Sequence, residues 1–272
     1  MSASQIENQN EAEDEVEASR APLLAHLEEL RDRLIWMLAA IAIGFVFCFI
    51  YAEWIYNVLL IPFEDAARQV RGGEGLELQL IFTAPLEFFF VKLKLALFGA
   101  IILAFPVVAY QVWAFVSPGL YKNERLAFAP FLLASPVLFA AGLAFVFYVI
   151  LPFVMTFALG QEQIGGDGQA QIQMLTRVSE YLNLVTTLAL AFGVSFQLPV
   201  LLALLGKVGI VTSEGLIKFW KFALVGIAAF AAFVTPPDPI SQLFLGAAMF
   251  GLYGLSILAV KLVEPKDEVE AS

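Results

Sequence analysis

The stretch HLEELRDRLIWMLAAIAIGFVFCFIY, residues 26–51, joins a strongly charged segment to a long apolar one. Five of its first nine side chains are ionised at neutral pH, whereas Leu34–Tyr51 carries no charged residue. A helix needs about 20 predominantly apolar residues to cross roughly 30 Å of hydrocarbon. The stretch therefore predicts a membrane-spanning helix that begins at a polar surface.

Five further apolar runs follow the first one along the chain. They are Lys92–Trp113, Leu126–Leu151, Leu182–Leu205, Phe222–Val234 and Ile240–Val260. Hydrophobic residues make up 60% of the 272 residues, well above the content of soluble globular domains. We therefore expect an all-α polytopic membrane protein with six transmembrane helices.

Proline residues and one short span predict a curved, concave bundle rather than a tight cylinder. A proline removes a backbone donor and bends its helix. The fifth run has only 13 residues free of charge, which is about 20 Å of helix. The prolines within or next to predicted spans are Pro106, Pro130, Pro136, Pro152 and Pro199.

Charge predicts the orientation and the limits of the membrane domain. Ten Lys and Arg residues fall on the side of the two termini and five on the other side, so the positive-inside rule places both termini in the cytoplasm. Of the net charge of −10, residues 1–20 carry −5 and residues 262–272 carry −3. We interpret residues 1–21 as a disordered acidic cytoplasmic tail, 22–260 as the six-helix membrane domain and 261–272 as a cytoplasmic C-terminal tail.

The inventory of reactive residues disfavours an enzyme or a metal protein. One Cys and one His do not make a metal site. An intramembrane serine protease would need a base at membrane depth, but His26 lies outside the spans. An intramembrane aspartyl protease would need two buried Asp residues, and only Asp238 lies near a span. We expect no catalysis, no cofactor and no nucleic-acid partner.

A secondary transporter of a small solute is the alternative function that composition leaves open. Ion-coupled carriers place ionisable residues inside their spans, and the spans here hold almost none. The main polar side chain near the middle of the fourth span is Gln197, in GVSFQLPV. A lone glutamine at this depth is more often a helix–helix hydrogen-bond contact than a substrate ligand.

Two polar clusters remain at the predicted cytoplasmic face, HLEELRDRL (26–34) and SPGLYKNERL (117–126). In the first, Glu29 and Arg33 are spaced i,i+4 and could simply stabilise the helix by about 0.3 kcal/mol. In the second, Lys122 and Arg125 could simply be positive-inside anchors. Composition leaves these readings and a binding site for a cationic ligand equally open.

Four motifs give the chain a specific resemblance to a known family. HLEELRDRL, YQVWAFVSPGLYKNER, GVSFQLPV and TPPDPISQ stand in this order at the junctions of the six spans. Over Pro22–Val260 the chain closely resembles the C subunit of the twin-arginine protein translocase (TatC). The resemblance implies a glove-shaped bundle in the bacterial inner membrane that receives twin-arginine signal peptides of folded cargo proteins. It also implies transport driven by the proton-motive force, single-span partner subunits (TatA and TatB), contacts with membrane lipid and several copies per complex.

The same resemblance implies a set of signal-peptide-binding residues. The acidic recognition positions of the family fall on Glu29 and on Glu124, in the first cytoplasmic loop. Leu30, Arg31 and Arg33 flank Glu29 and are expected to hold its segment in place. Two carboxylates would recognise two adjacent arginines because each planar guanidinium can donate two parallel hydrogen bonds to a carboxylate. Lysine cannot form this paired contact.

Two further polar positions are expected to bind partners or to have structural roles. Many family members carry Glu where this chain has Gln197, which loses the ionisable group but keeps an amide that can bond to a partner helix. Asp238 matches the acidic residue in the family's last outer turn, here TPPDP. Its alternative role is a side-chain cap in a tight, proline-rich turn.

Overall fold

The computed structural model describes most of the chain, with gaps between some helices. The described residues are 3–72, 80–116, 125–162, 174–234 and 239–264, and side chains are described for 26–72, 80–115, 130–162, 174–234 and 242–264. Nearly all of this part of the chain is helical. Its isolated β-bridge joins Ile81 to Arg177.

Ten α-helices lie within the described residues. They are α1 (Ala3–Ile50), α2 (Ala52–Arg71), α3 (Glu87–Val116), α4 (Arg125–Phe145), α5 (Leu151–Leu159), α6 (Val178–Ser195), α7 (Leu198–Lys207), α8 (Ser213–Lys218), α9 (Trp220–Val234) and α10 (Pro239–Val263). A π-helical segment, Val146–Ile150, joins α4 to α5.

Within the part of the chain that the structure describes, five segments are long and apolar enough to cross a membrane, and the shorter α9 is the sixth. The five are His26–Ile50, Glu87–Phe115, Pro130–Leu159, Val178–Lys207 and Gln242–Val263. The predicted all-α architecture with six spans is confirmed. The limits of the two tails stay predictions. Helix α1 begins at Ala3, and α10 continues past Val260 to Val263.

The third and fourth spans are interrupted helices. The third contains Pro130 and Pro136 and then the π-helical segment, whose extra residue in the turn is a common cause of a bend. The fourth breaks between α6 and α7, just before Pro199. Proline at the start of a helix has no amide hydrogen to satisfy, so it marks where the second half begins.

Helix α1 packs closely along α3. A Cβ atom on Gly44 would lie 3.2 Å from Ala100 Cα, and one on Gly99 would lie 2.8 Å from Cys48 Sγ. The Cys48 thiol is buried at this contact, so it acts as a small apolar filler. The other faces of α1 carry exposed large apolar side chains, among them Ile35, Trp36, Leu38, Ile43, Val46, Phe47 and Ile50.

Helix α2 lies against one end of the bundle and buries one face on it. Phe63, Ala66 and Ala67 are buried there. The Phe63 ring stacks on Tyr181 with centroids 5.1 Å apart, and the Tyr181 hydroxyl donates to the Leu59 carbonyl at 2.6 Å. A buried tyrosine with a satisfied hydroxyl joins α2 firmly to α6.

Because α9 is shorter than an ordinary hydrocarbon core, we expect the bilayer to thin beside it. Its 15 residues span about 22 Å at 1.5 Å each, against about 30 Å of hydrocarbon. Spin labels at the exposed Ala228 and Phe233 should show excess water accessibility and a depth that does not follow bilayer thickness. A label at Leu103, exposed on the full-length α3, is the matched control.

Label depths at both α9 positions that track the bilayer as Leu103 does would contradict local thinning. The buried segment would then include Phe219, which precedes α9, with Lys221 reaching back to the headgroups. Bilayers of graded acyl-chain length separate these two outcomes.

Candidate functional site

Glu29 and Arg33 lie one turn apart on α1 and are directly joined. Arg33 donates to Glu29 Oε1 from Nε at 3.0 Å and from Nη2 at 2.5 Å. The same guanidinium donates from Nη1 to Gln111 Oε1 of α3, at 3.3 Å. The Glu29 side chain is 33% exposed and that of Arg33 is 22% exposed. Arg33 therefore ties the Glu29 segment to α3 while Glu29 stays accessible from water.

The second Glu29 oxygen is less engaged than the first. Glu29 Oε2 lies 3.9 Å from His26 Nδ1, which is beyond hydrogen-bond distance. His26 in turn stacks on Phe115, near the end of α3, with centroids 4.3 Å apart. The arrangement leaves Glu29 Oε2 as the acceptor for an incoming donor and holds the start of the first span against the end of the second.

The other predicted residues of the amino-terminal motif face away from this contact. Arg31 pairs with its neighbour Asp32 at 2.9 Å, and both side chains are largely exposed. Leu30 is also exposed. Thus the structure brings Arg33, but not Arg31, to Glu29. Glu124 and Asp238 lie outside the described residues.

Gln197 lies at the break between α6 and α7 and bonds to α4. Its Oε1 accepts from Ser135 Oγ at 2.6 Å, and its Nε2 donates to the Ser135 carbonyl oxygen at 3.0 Å. A primary amide offers two donors and two acceptor positions, so Ser135 uses one of each. Gln197 is a contact between the third and fourth spans, and a role toward a partner helix stays a prediction.

The opposite end of the bundle carries an ion pair that sequence reasoning missed. Arg71, at the end of α2, donates to Glu162 from Nη2 at 2.6 Å and from Nε at 3.0 Å. The two side chains are only 11% and 6% exposed. The Met174 amide also donates to Glu162, at 2.9 Å. The hydrogen bonds from Arg71 hold the pKa of Glu162 below its ordinary value.

A second set of bonds joins the segments that precede α3 and α6 at this end. The Ile81 amide donates to the Thr176 carbonyl at 3.2 Å, and the Val178 amide donates to the Ile81 carbonyl at 3.1 Å. Glu87 accepts from the Thr83 amide at 2.8 Å and from Ser179 Oγ at 2.5 Å. The end of the bundle away from Glu29 is thus closed by specific polar contacts.

Comparisons with known proteins identify the family. A family model described as "Sec-independent protein translocase protein (TatC)" matches residues 25–247. The TatC protein of Magnetococcus marinus is 38% identical over 247 residues, covering 91% of this chain and 86% of the relative. That of Helicobacter pylori strain 26695 is 37% identical, covering 89% and 88%.

A solved structure agrees with these relatives in both sequence and fold. It is the crystal structure of the twin-arginine translocase receptor TatC, with 34% identity, a TM-score of 0.73, and coverage of 88% of this chain and 99% of that one. The family is a protein translocase component rather than a family of enzymes, which also sets aside the solute-transporter alternative. With its six apolar spans, the chain is an integral membrane protein and belongs to the TatC family of Sec-independent protein translocase proteins.

Proposed function

We propose that this chain is the receptor subunit that binds twin-arginine signal peptides at the end of the bundle where Glu29 lies. The observation that carries the proposal is the Glu29 carboxylate, accessible to water and fixed to α3 through Arg33 and Gln111. A fixed carboxylate binds a guanidinium without first losing its own side-chain freedom, which favours a planar, bidentate pair.

Glu124 supplies the second carboxylate in this proposal. Glu124 follows α3 along the chain, and α3 ends at Val116, next to Phe115, whose ring stacks on His26. This connectivity is the observation that supports Glu124 as the second carboxylate. Two carboxylates on separate segments would each bind one of two consecutive arginines.

The expected strength suits a receptor that must release its cargo. A guanidinium–carboxylate bond at a partly wet surface contributes about 1–3 kcal/mol. In addition, Arg33 already occupies Glu29 Oε1, so an incoming arginine must share the carboxylate with it. Binding that is moderate and salt-dependent follows from both features.

Site-specific photocrosslinking tests the location. A photoreactive residue replacing the exposed Leu30 should capture a twin-arginine peptide, while one replacing the exposed Val70, at the far end of α2, should not. A peptide carrying two lysines in place of the arginines should crosslink weakly at Leu30 because lysine cannot form the planar fork. Equal capture at the two positions would place the site elsewhere.

We further infer that both termini face the cytoplasm of a bacterial inner membrane. The even number of spans and the excess of Lys and Arg at the terminal side support this orientation. In the same proposal, several copies assemble with the single-span subunits TatA and TatB, and the proton-motive force drives export of folded cargo.

The proposed contact with a partner subunit makes a prediction at Gln197. Gln197→Leu should lower co-purification of a single-span partner several-fold. It should leave signal-peptide binding largely intact, since Glu29 lies on α1 and is held to α3 through Arg33, whereas Gln197 bonds to Ser135 of α4. Ser135→Ala is the matched control because it removes the bond to Gln197 Oε1 but keeps the amide. Equal partner loss in both variants would mean that Gln197 acts only by joining α4 to α7.

A further inference from the structure

A groove of about 590 Å³ opens between α3 and α6, near the end of the bundle where α3 begins. Apolar side chains, including Phe90, Leu95 and Leu182, line much of it. Its polar lining residues are Glu87, Lys94, Ser179, Glu180, Asn183 and Thr186. The groove is separate from the Glu29 segment, so nothing in the proposed function uses it.

Lys94 places a positive charge inside an apolar span. It lies seven residues after Glu87 in the span Glu87–Phe115, which is about 10 Å further along the helix. Its Nζ donates to Asn183 Oδ1 of α6. Side chains on a helix lean toward its start, so the ammonium reaches back toward the polar surface.

The Lys94 ammonium is suited to an anionic group at headgroup depth. An ammonium has three donors, and Asn183 accepts from one of them. A charge at this depth is costly unless a counter-ion or water compensates it. A lipid phosphate, at the boundary between headgroup and hydrocarbon, is an anion that the remaining donors of this ammonium can bind.

Two carboxylates at the mouth of the groove restrict the kind of headgroup. Glu87 lies at the start of α3, and Glu180 lies beside it on the first turn of α6, with Arg177 Nη1 at 3.7 Å from its Oε1. Arg177 offsets the charge of Glu180, and Glu87 already accepts from Thr83 and Ser179. The mouth therefore keeps one net negative charge, that of Glu87, and Lys94 places a positive charge deeper in the groove. A zwitterionic headgroup has the opposite order, because its phosphate lies nearer the hydrocarbon than its amine does.

We propose that this groove binds one zwitterionic phospholipid, with its phosphate at Lys94, its amine toward Glu87 and Glu180, and its acyl chains against Phe90 and Leu95. Charge complementarity along the depth of the groove selects this occupant over an acidic lipid, whose headgroup carries no cation for the Glu87 carboxylate. The proposal holds for either orientation of the chain in the membrane.

Native mass spectrometry of the purified protein tests the site. The protein would be taken from nanodiscs that contain equal amounts of phosphatidylethanolamine and phosphatidylglycerol, and its retained lipids counted. The wild-type chain should retain phosphatidylethanolamine in preference. Lys94→Gln should lower this retention about tenfold, as expected for loss of a charged hydrogen bond, and Lys94→Arg should restore most of it.

Lys92→Gln is the matched control, because Lys92 binds Glu53 Oε1 at 2.5 Å and does not line the groove. It should retain lipid like the wild type. Should Lys94→Gln fail to fold, Asn183→Leu removes the residue that orients the ammonium and should lower retention less strongly. Unchanged retention in the Lys94 or Asn183 variant, or a preference for phosphatidylglycerol, would overturn the proposal.

Discussion

Replacing both Glu29 and Glu124 with alanine should abolish binding of a twin-arginine signal peptide. Each single replacement should weaken the peptide affinity about tenfold to a hundredfold, because each carboxylate contributes one charge-assisted pair with an arginine. Both Glu29→Ala and Glu29→Lys remove the acceptor of Arg33, and Glu29→Lys should be worse because it adds like-charge repulsion toward the arginines of the peptide. Fluorescence anisotropy with a labelled peptide and receptor in nanodiscs measures these affinities.

Glu28→Ala is the matched control for this experiment. Glu28 is the adjacent carboxylate on the same helix turn and is exposed, so its loss changes the local charge equally without touching Arg33. Its peptide affinity should stay within about twofold of wild type. If the Glu29→Ala/Glu124→Ala double variant binds the peptide normally, the recognition site lies in another part of the chain.

Arg71→Leu should lower the free energy of unfolding by about 3–5 kcal/mol, because it leaves a buried Glu162 without its partner. The double variant Arg71→Leu/Glu162→Leu should recover most of this loss, since two apolar side chains replace the whole pair. Unfolding in detergent, followed by circular dichroism, gives the two values and the coupling between them.

Arg68→Leu gives the comparison with an exposed pair on the same helix. Its guanidinium lies 3.7 Å from both Glu64 and Asp65, and the side chain is 68% exposed. A change of less than about 1 kcal/mol is therefore expected. An Arg71→Leu effect no larger than that of Arg68→Leu would mean that the buried pair does not hold the end of α2 to the segment that contains Glu162.

The same ion pair predicts how stability depends on pH. The pKa of Glu162 is lowered in the folded state by Arg71, so its contribution is complete above about pH 5 and is lost as the pH falls through the lowered pKa. Glu162→Gln should remove this part of the acid dependence. A wild-type protein and a Glu162→Gln variant with parallel stability curves below pH 5 would contradict the assignment.

The six spans could be predicted because each depends on a local property, the length of an uncharged run. The Glu29–Arg33 contact was predictable for a similar reason, since an i,i+4 spacing puts both side chains on one face of a helix. The bond from Arg33 to Gln111 was not, because 78 residues separate the two positions. Only the packing of α1 on α3 brings them together.

The closed end of the bundle shows the same limit. Arg71 and Glu162 are 91 residues apart. In the sequence, each is a charged residue within a polar segment, and nothing marks the two as partners. Gln197 stands out as a polar residue within a span, but its partner Ser135 is 62 residues away, so their pairing required the fold. A long-range polar contact leaves no periodic signal, so hydropathy and charge counts do not reveal it.

The exposed apolar faces of α1 have a consequence for how a bound peptide would sit. Among the described residues, helix α1 packs mainly along α3. In the proposed function, a hydrophobic segment that follows a paired arginine would then lie against acyl chains beside the exposed Ile35, Leu38 and Ile43. No sealed passage has to open for this step. Moving the apolar surface of the segment from water into lipid contributes about 25 cal/mol per Å². Transfer into the bilayer, rather than contacts with the receptor, would therefore supply most of the affinity for the hydrophobic part of the peptide.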